Sequence, residues 1–268
     1  MLMEDLEKER VFVSFGGACP YRCRHCYTFC DNYQYDPILT VADLVNSLQS
    51  KKFSLVYISG HKENFVNPDD GLELCEEVFS RYSVDILLTT RNTFNEAQLE
   101  RLNKLNERMK VANKDLYVCV SVPALKSYKK IESSSLIPSP DERIDFVKQI
   151  YERNIYTILT LRPLFPNSFI PISEPLEILQ RCKAHVSAVI SSGIVVDDTI
   201  LRNLETFPKD ITYNEGKLMK CLEQDINVRY VNVEREYSEI EKFCKTHNIY
   251  LNEHSIPVIQ YLKKTKNK

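Results

Sequence analysis

Apolar positions along this chain fall into short, nearly unbroken runs, separated by longer stretches in which they recur every three or four residues. Such runs fit strands buried on both faces, and the longer periodic stretches fit amphipathic helices. Val11 to Phe15 is the first run. Thr40 and Asp43 then make a capping-box start for a helix through Leu48, ahead of a strand from Leu55 to Ile58. The pattern repeats with a helix around Leu72 to Arg81 and a strand Val84 to Leu88, then a helix Asn95 to Val111 and a strand Leu116 to Val120. Ser139-Pro140-Asp141-Glu142 sets an N-cap serine, a proline at the first helical position and a box-closing glutamate before a helix to about Arg153. A strand Ile155 to Leu161 follows, and a helix entered through Ser173 and running from Glu174 to about Ala184 leads to a strand Val186 to Ile190.

Strands separated by helices run parallel, and right-handed crossovers curl such a series into an open barrel. The expected fold class is therefore α/β, a partial (β/α)6 parallel barrel over residues 1–196. From Asp197 the rhythm breaks. A helical stretch near Asn214 to Gln224, a strand Asn227 to Val233 and a helix Tyr237 to His247 predict a small α/β C-terminal extension, residues 197–268, packed on or capping the barrel. The four lysines between Lys263 and Lys268 read as a frayed, solvated end.

With 268 residues the chain is long enough for one barrel-type core. Its 35 basic and 37 acidic residues nearly cancel, so no global field favours nucleic acid, which stays possible but unsupported. The charged stretch Met1 to Arg10 lacks a hydrophobic signal core, and no apolar run approaches the roughly 18 residues of a membrane helix. A cytoplasmic protein without membrane contact is expected. In a reducing compartment its nine cysteines read as thiols or ligands rather than disulfides.

Three of those cysteines change the picture. Cys19, Cys23 and Cys26 are spaced C-x3-C-x2-C directly after the first strand, with Gly16, Gly17 and Pro20 to let the chain double back. Thiolates are the ligands of iron-sulfur clusters, whereas a structural zinc site asks for a second ligand pair, and no second pair follows here. The loop Phe15-Gly16-Gly17-Ala18-Cys19-Pro20-Tyr21-Arg22-Cys23-Arg24-His25-Cys26-Tyr27 resembles the signature of the radical S-adenosylmethionine (SAM) superfamily, with His25 in its variable slot. The resemblance implies a partial barrel of the radical SAM type and a 4Fe-4S cluster held by Cys19, Cys23 and Cys26. The fourth iron would be chelated by S-adenosylmethionine, whose reductive cleavage gives a 5'-deoxyadenosyl radical that abstracts hydrogen from a substrate. Such an enzyme is oxygen-sensitive and takes its electron from a donor such as flavodoxin or ferredoxin.

Sites on parallel barrels are assembled at the carboxyl ends of the strands, and polar residues stand at nearly every predicted end. Ser59-Gly60-His61-Lys62-Glu63 occupies the place of the family's Gly-Gly-Glu segment, which makes Gly60 and Glu63 candidates for gripping the amino group of SAM. Thr89, Thr90 and Arg91 end the third strand and Ser121 the fourth, where they could hold ribose and carboxylate. Arg162 suits a bidentate carboxylate contact to SAM or substrate. Ile190 would give backbone and apolar contact to adenine, and His25 would pack near adenine or cluster. His61 could touch substrate. Cys30 reads as a bystander, Cys75, Cys119, Cys182 and Cys244 as packed thiols, and Cys221 as an unpaired thiol without the spacing for a second cluster.

The stretches Ile137-Pro138-Ser139-Pro140-Asp141-Glu142-Arg143-Ile144 and Leu161-Arg162-Pro163-Leu164-Phe165-Pro166 resemble the middle of the spore photoproduct lyase-like branch of the superfamily. That branch implies a DNA-lesion lyase as one reading, but Lys126, Lys129 and Lys130 make only a small basic cluster. A small-molecule, nucleoside or peptide substrate is the expected one, with a noncatalytic iron-sulfur or zinc sensor as the alternative from another class.

Overall fold

A computed structural model of the chain describes residues 2–5, 9–29, 35–60, 62–221 and 224–266, with 2–5, 215–221 and 224–227 described through their backbone. The predicted alternation is present. Strands β1 (Leu2–Asp5), β2 (Arg10–Val13), β3 (Leu55–Ile58), β4 (Asp85–Thr90), β5 (Leu116–Ser121), β6 (Tyr156–Leu164) and β7 (Ala188–Gly193) lie side by side in chain order. Helices α1 (Val41–Ser47), α2 (Pro68–Tyr82), α3 (Glu96–Val111), α4 (Pro140–Glu152) and α5 (Ser173–Cys182) make the crossovers between β2 and β7. Each strand from β2 to β7 pairs in parallel with the next, and β1 is antiparallel at the edge. Local chemistry sets the helix starts. Thr40 with Asp43, Asn95 with Gln98 and Ser139 with Glu142 each close a capping box, and Pro68 and Pro140 stand in the first helical turn.

Beyond β7 come β8 (Val195–Val196), α6 (Asp198–Asn203), β9 (Tyr213–Cys221), β10 (Gln224–Val231), α7 (Glu234–Thr246), β11 (Leu251–Asn252) and α8 (Ser255–Lys266). Strands β8, β10 and β9 form a separate antiparallel sheet, while β11 pairs in parallel with β7 and extends the main sheet. Among the described residues the main sheet is thus an open one of seven parallel strands plus β1, consistent with a partial barrel.

The helix expected near Asn214 to Gln224 is instead the strand β9. Its backbone pairs with β10 from Tyr213↔Val231 to Cys221↔Gln224, a partnership that intrinsic propensity does not encode.

Both faces of the main sheet are covered, as a parallel sheet requires. Val11, Val56, Ile86, Leu88, Val118, Val120, Leu159 and Val189 pack outward against helical Leu44, Leu72, Leu99, Leu102, Val147 and Ile178. The alternate residues Leu55, Tyr57, Leu87, Tyr117, Cys119, Ile158, Ala188 and Ile190 face inward and meet Val258, Ile259 and Leu262 of α8. The expectation of a frayed lysine end is therefore corrected through Lys266, residues 267–268 lying outside the described ones. Lys263 pairs with Asp85 and Lys266 with Asp115 at 2.6 Å, both carboxylates being almost fully buried. Charges that look solvated in sequence here seal the amino-terminal end of the inner face. Cys75, Cys119, Cys182 and Cys244 are buried thiols, as expected.

Because Leu262 is 3% exposed against the inner face, Leu262→Ala should lower unfolding stability by about 2 to 4 kcal/mol. Urea denaturation reads this directly, and a frayed segment would give no measurable change.

Candidate cofactor site at the cysteine loop

The chain leaves β2 and turns at Gly16 and Gly17, whose φ angles of 73° and 65° lie in the left-handed region. A Cβ on Gly16 would stand 2.0 Å from the Pro37 carbonyl oxygen, so only glycine admits this approach. Gly17 N donates to the Asp36 carbonyl and Leu39 N to the Phe15 carbonyl, each at 2.8 Å, tying the loop to the segment before α1. Asn64 adds a second tie. Its Nδ2 donates to the Val13 carbonyl at 3.0 Å, and its Oδ1 accepts from Ser14 Oγ and Phe15 N at 3.3 Å. Lys62 Nζ donates to the Gly16 carbonyl.

The cysteines follow on this pinned turn. Cys26 N donates to the Cys23 carbonyl and Phe29 N to the Cys26 carbonyl, both at 3.0 Å, and Arg24 N donates to the Ile131 carbonyl at 2.9 Å. Cys19, Cys23 and Cys26 share one apolar cluster with Tyr21 and Ile137. Among the described residues no three His, Cys, Asp or Glu side chains converge as ligands of a single metal ion. A cubic cluster asks for something different, one thiolate on each of three irons, so its ligands stand around a larger object. Burial pushes the Cys23 thiol up to about 12 and raises Cys26 as well, against the pull of the Arg91 guanidinium, so metal loading must displace protons.

That guanidinium belongs to a buried chain of charges that the sequence did not announce. Arg143, with no solvent exposure, donates through Nη2 and Nη1 to Glu132 at 2.6 and 3.1 Å, and through Nη1 to the Ser121 carbonyl at 2.7 Å. Arg91 Nε donates to Glu132 at 3.1 Å, and its Nη2 lies 3.4 Å from Nε2 of His25. Burial alone would raise the Glu132 carboxyl, but Arg143 and Arg91 together hold it below the ordinary carboxylate range. Burial, reinforced by the Arg91 charge, pushes His25 down to about 3, so the imidazole is neutral near pH 7. It meets Phe165 edge-on at 5.9 Å.

The strand-end residues divide by face. Thr89, Ser121, Arg162 and Ile190 continue the inward-facing alternation of Leu87, Cys119, Ile158 and Ala188, so all four share the inner face toward its carboxyl end. Arg162 is exposed and makes no hydrogen bond or ion pair among the described residues; desolvation lowers its pKa, with Tyr27, Glu253, Tyr57 and Tyr230 in Coulombic reach. Glu63 and Thr90 lie on the other side. Glu63 Oε1 accepts from Phe65 N and Thr90 Oγ1, both at 3.0 Å, and Oε2 accepts from Arg91 N at 2.7 Å, leaving about one of its four acceptor positions. Burial raises its pKa despite these donors. Gly60 is exposed, with Phe12 so close that a Cβ would stand 2.6 Å away. Cys30 and His61 lie outside the described residues, as does the side chain of Cys221.

A fit test for a bound cofactor comes from the buried polar atoms. Such atoms are nearly always hydrogen-bonded, yet among the described residues Tyr21 Oη, His25 Nδ1, Ser121 Oγ and Thr160 Oγ1 have no partner in hydrogen-bonding geometry. The first two belong to the cysteine loop; Ser121 ends β5, and Thr160, its register partner, lies midway along the longer β6. The fifth such atom among the described residues is Arg143 Nε, in the charge chain. Unmet donors and acceptors in the cysteine loop and on the inner face of the sheet suit a polar cofactor with amino, carboxylate and ribose groups. Thr160 went unremarked in the sequence, although the period-two step back from Arg162 points to it.

Neither a family model nor a curated protein matches the sequence. Solved structures are similar in fold. SuiB of Streptococcus suis bound to S-adenosylmethionine matches with a TM-score of 0.59 at 13% identity, covering 92% of this chain and 50% of SuiB. SuiB bound to the precursor peptide SuiA matches at 0.56 and 14%, covering 91% and 48%. A further crystal structure of SuiB matches at 0.54 and 13%, covering 87% and 46%. The chain therefore spans about half the length of SuiB, and at such identity the likeness is one of fold.

Removing the charge between two guanidiniums should be costly. Glu132→Gln is expected to lose about 3 to 5 kcal/mol in urea unfolding, because it strands the buried Arg143. Arg143→Met should cost less, since Glu132 keeps Arg91. Equal losses would mean that the network does not work as a shared pair.

Proposed function

We propose that the chain is a radical SAM enzyme, with Cys19, Cys23 and Cys26 holding three irons of a 4Fe-4S cluster. The observation that carries this reading is the C-x3-C-x2-C loop at the carboxyl end of the first parallel strand, in which Tyr21 Oη and His25 Nδ1 are buried without a hydrogen-bond partner among the described residues. When bound, the reduced cluster would cleave S-adenosylmethionine and so generate the radical that takes hydrogen from substrate. The protein's own contribution is to hold and to shield. Thr89, Ser121, Thr160 and Arg162 would hold the ribose and carboxylate of S-adenosylmethionine from the inner face, with Ile190 against adenine. His25, neutral and buried, would pack on the cofactor side of the loop. Gly60 would admit the amino end, and Glu63, anchored by three donors, would offer its remaining lone pair there. Arg91 would act beside the thiols rather than on ribose, since Glu132 and His25 already engage its guanidinium.

A peptide is the substrate class best supported, because SuiB, similar in fold, has been solved with a precursor peptide. The DNA-lesion reading rests on the stretches Ile137–Ile144 and Leu161–Pro166. Ile137 packs on the cysteine loop and Arg143 anchors the charge chain below it, so the first stretch is accounted for by cofactor support without a DNA substrate. No described helix is long and apolar enough to cross a membrane.

Anaerobic reconstitution tests the reading. The protein should bind about four irons and four sulfides per chain and, with dithionite and S-adenosylmethionine, release 5'-deoxyadenosine. Cys23→Ala should lose both properties. Metal binding without 5'-deoxyadenosine would favour a sensor, and unchanged product in Cys23→Ala would remove the cluster assignment.

A further inference from the structure

Three consecutive residues after β3 brace the surroundings of the cysteine loop, each in a different direction. Asn64 ties the end of β2 through Val13, Ser14 and Phe15. Glu63 accepts from the Thr90 hydroxyl and from Arg91 N, which fixes the end of β4. Lys62 points away from both. Its Nζ crosses to the loop and donates to the Gly16 carbonyl, and a Cβ on Gly17 would stand 3.6 Å from it, so the ammonium lies against the turn that delivers Cys19 two residues later.

A neutral donor would satisfy a backbone carbonyl equally well, whereas a half-buried ammonium loses hydration. Burial lowers the Lys62 pKa, and a thiolate at Cys19 works the other way. Among the described residues Lys62 makes no ion pair with an acid. The second cation near the thiols is placed differently. Arg91 acts on Cys23 and Cys26, but its guanidinium is paired with Glu132 at 3.1 Å. Two cations thus bear on the three thiols, and the one beside Cys19 has no carboxylate against it among the described residues.

We infer that Lys62 is a positioning residue for the cluster that holds a fixed positive charge beside Cys19, and that this charge favours the cluster's reduced state. The inference rests on the cluster reading above. On reduction the cluster gains one electron from a reductant, which is oxidised by one, and no proton or group is transferred. The added electron makes a thiolate-bound cluster more negative, and a cation held next to a ligand lowers the energy of that state. The hydrogen bond to Gly16 keeps the ammonium there when the cluster's charge changes.

Redox titration of the reconstituted protein, followed by electron paramagnetic resonance with dithionite and mediators and without S-adenosylmethionine, tests the assignment. At a fixed potential the ratio of reduced to oxidised cluster should fall by about tenfold in Lys62→Met, the size expected of one unit charge acting through a protein interior. Lys62→Gln, which keeps an N–H donor but no charge, should fall alike, and Lys62→Arg should stay near the wild type. Iron analysis of each variant should still give about four irons per chain. A wild-type ratio in Lys62→Met or Lys62→Gln with the irons bound overturns the inference, as does an equal fall in Lys62→Arg. A cluster lost from all three variants overturns it too, since Lys62 would then only latch the loop. Each of these results leaves the cluster reading intact, whereas a wild type that assembles no cluster overturns both.

Discussion

A carboxylate with almost no solvent contact stands between two guanidiniums beneath the cysteine loop, and the geometry of the site depends on it. Glu132 joins Arg143, the most deeply buried charge of the network, to Arg91, whose far side reaches His25 between the second and third cysteines. The loop has no regular structure from Gly16 to Cys26 and must still hold three thiols in place. It does so through ties to its surroundings: Asn64 and Lys62 from the segment after β3, Asp36 from the segment before α1, Ile131 beside Glu132, and the charge chain below. A buried ion network of this kind adds little net stability, since desolvation offsets most of its attraction. What it adds is a fixed position for the Arg91 guanidinium beside thiols that would have to ionise to bind metal.

The inner face of the sheet carries a gradient. At its amino-terminal end Asp85 and Asp115 are neutralised by Lys263 and Lys266 of α8, and Tyr117 stacks on Tyr156 at 5.3 Å. Toward its carboxyl end, among the described residues, Ser121 Oγ and Thr160 Oγ1 have no hydrogen-bond partner and Arg162 makes no ion pair. One end is satisfied and sealed, the other unsatisfied and open. Polar groups of a parallel α/β sheet that await a ligand belong at the carboxyl ends of its strands, and here the unmet atoms lie on the same side as the cysteines.

Much of this was legible in the sequence because it rests on local rules. The six parallel strands follow from short apolar runs, and the starts of α1 and α4 from Thr40 with Asp43 and Ser139 with Glu142. The strand-end positions of Thr89, Ser121, Arg162 and Ile190 needed only the limits of the apolar runs, while their common face emerges from the alternation of the sheet. What escaped was non-local. Glu132 reads as a loop acid and Arg143 as a helix-surface base, and only the fold brings them together. Strand β9 owes its conformation to β10, and the lysines of α8 find carboxylates more than 140 residues earlier in the chain. Charged residues are the hardest to place from sequence, since the same side chain may be solvated or buried according to a partner that the local pattern does not reveal.

The central claim is that three thiols hold an iron-sulfur cube with one iron left for S-adenosylmethionine. Mössbauer spectroscopy of iron-57-reconstituted protein addresses it most directly. The account predicts a four-iron cluster in which adding S-adenosylmethionine sets one iron apart from the other three. A spectrum of mononuclear iron, or a four-iron cluster indifferent to S-adenosylmethionine, would contradict it.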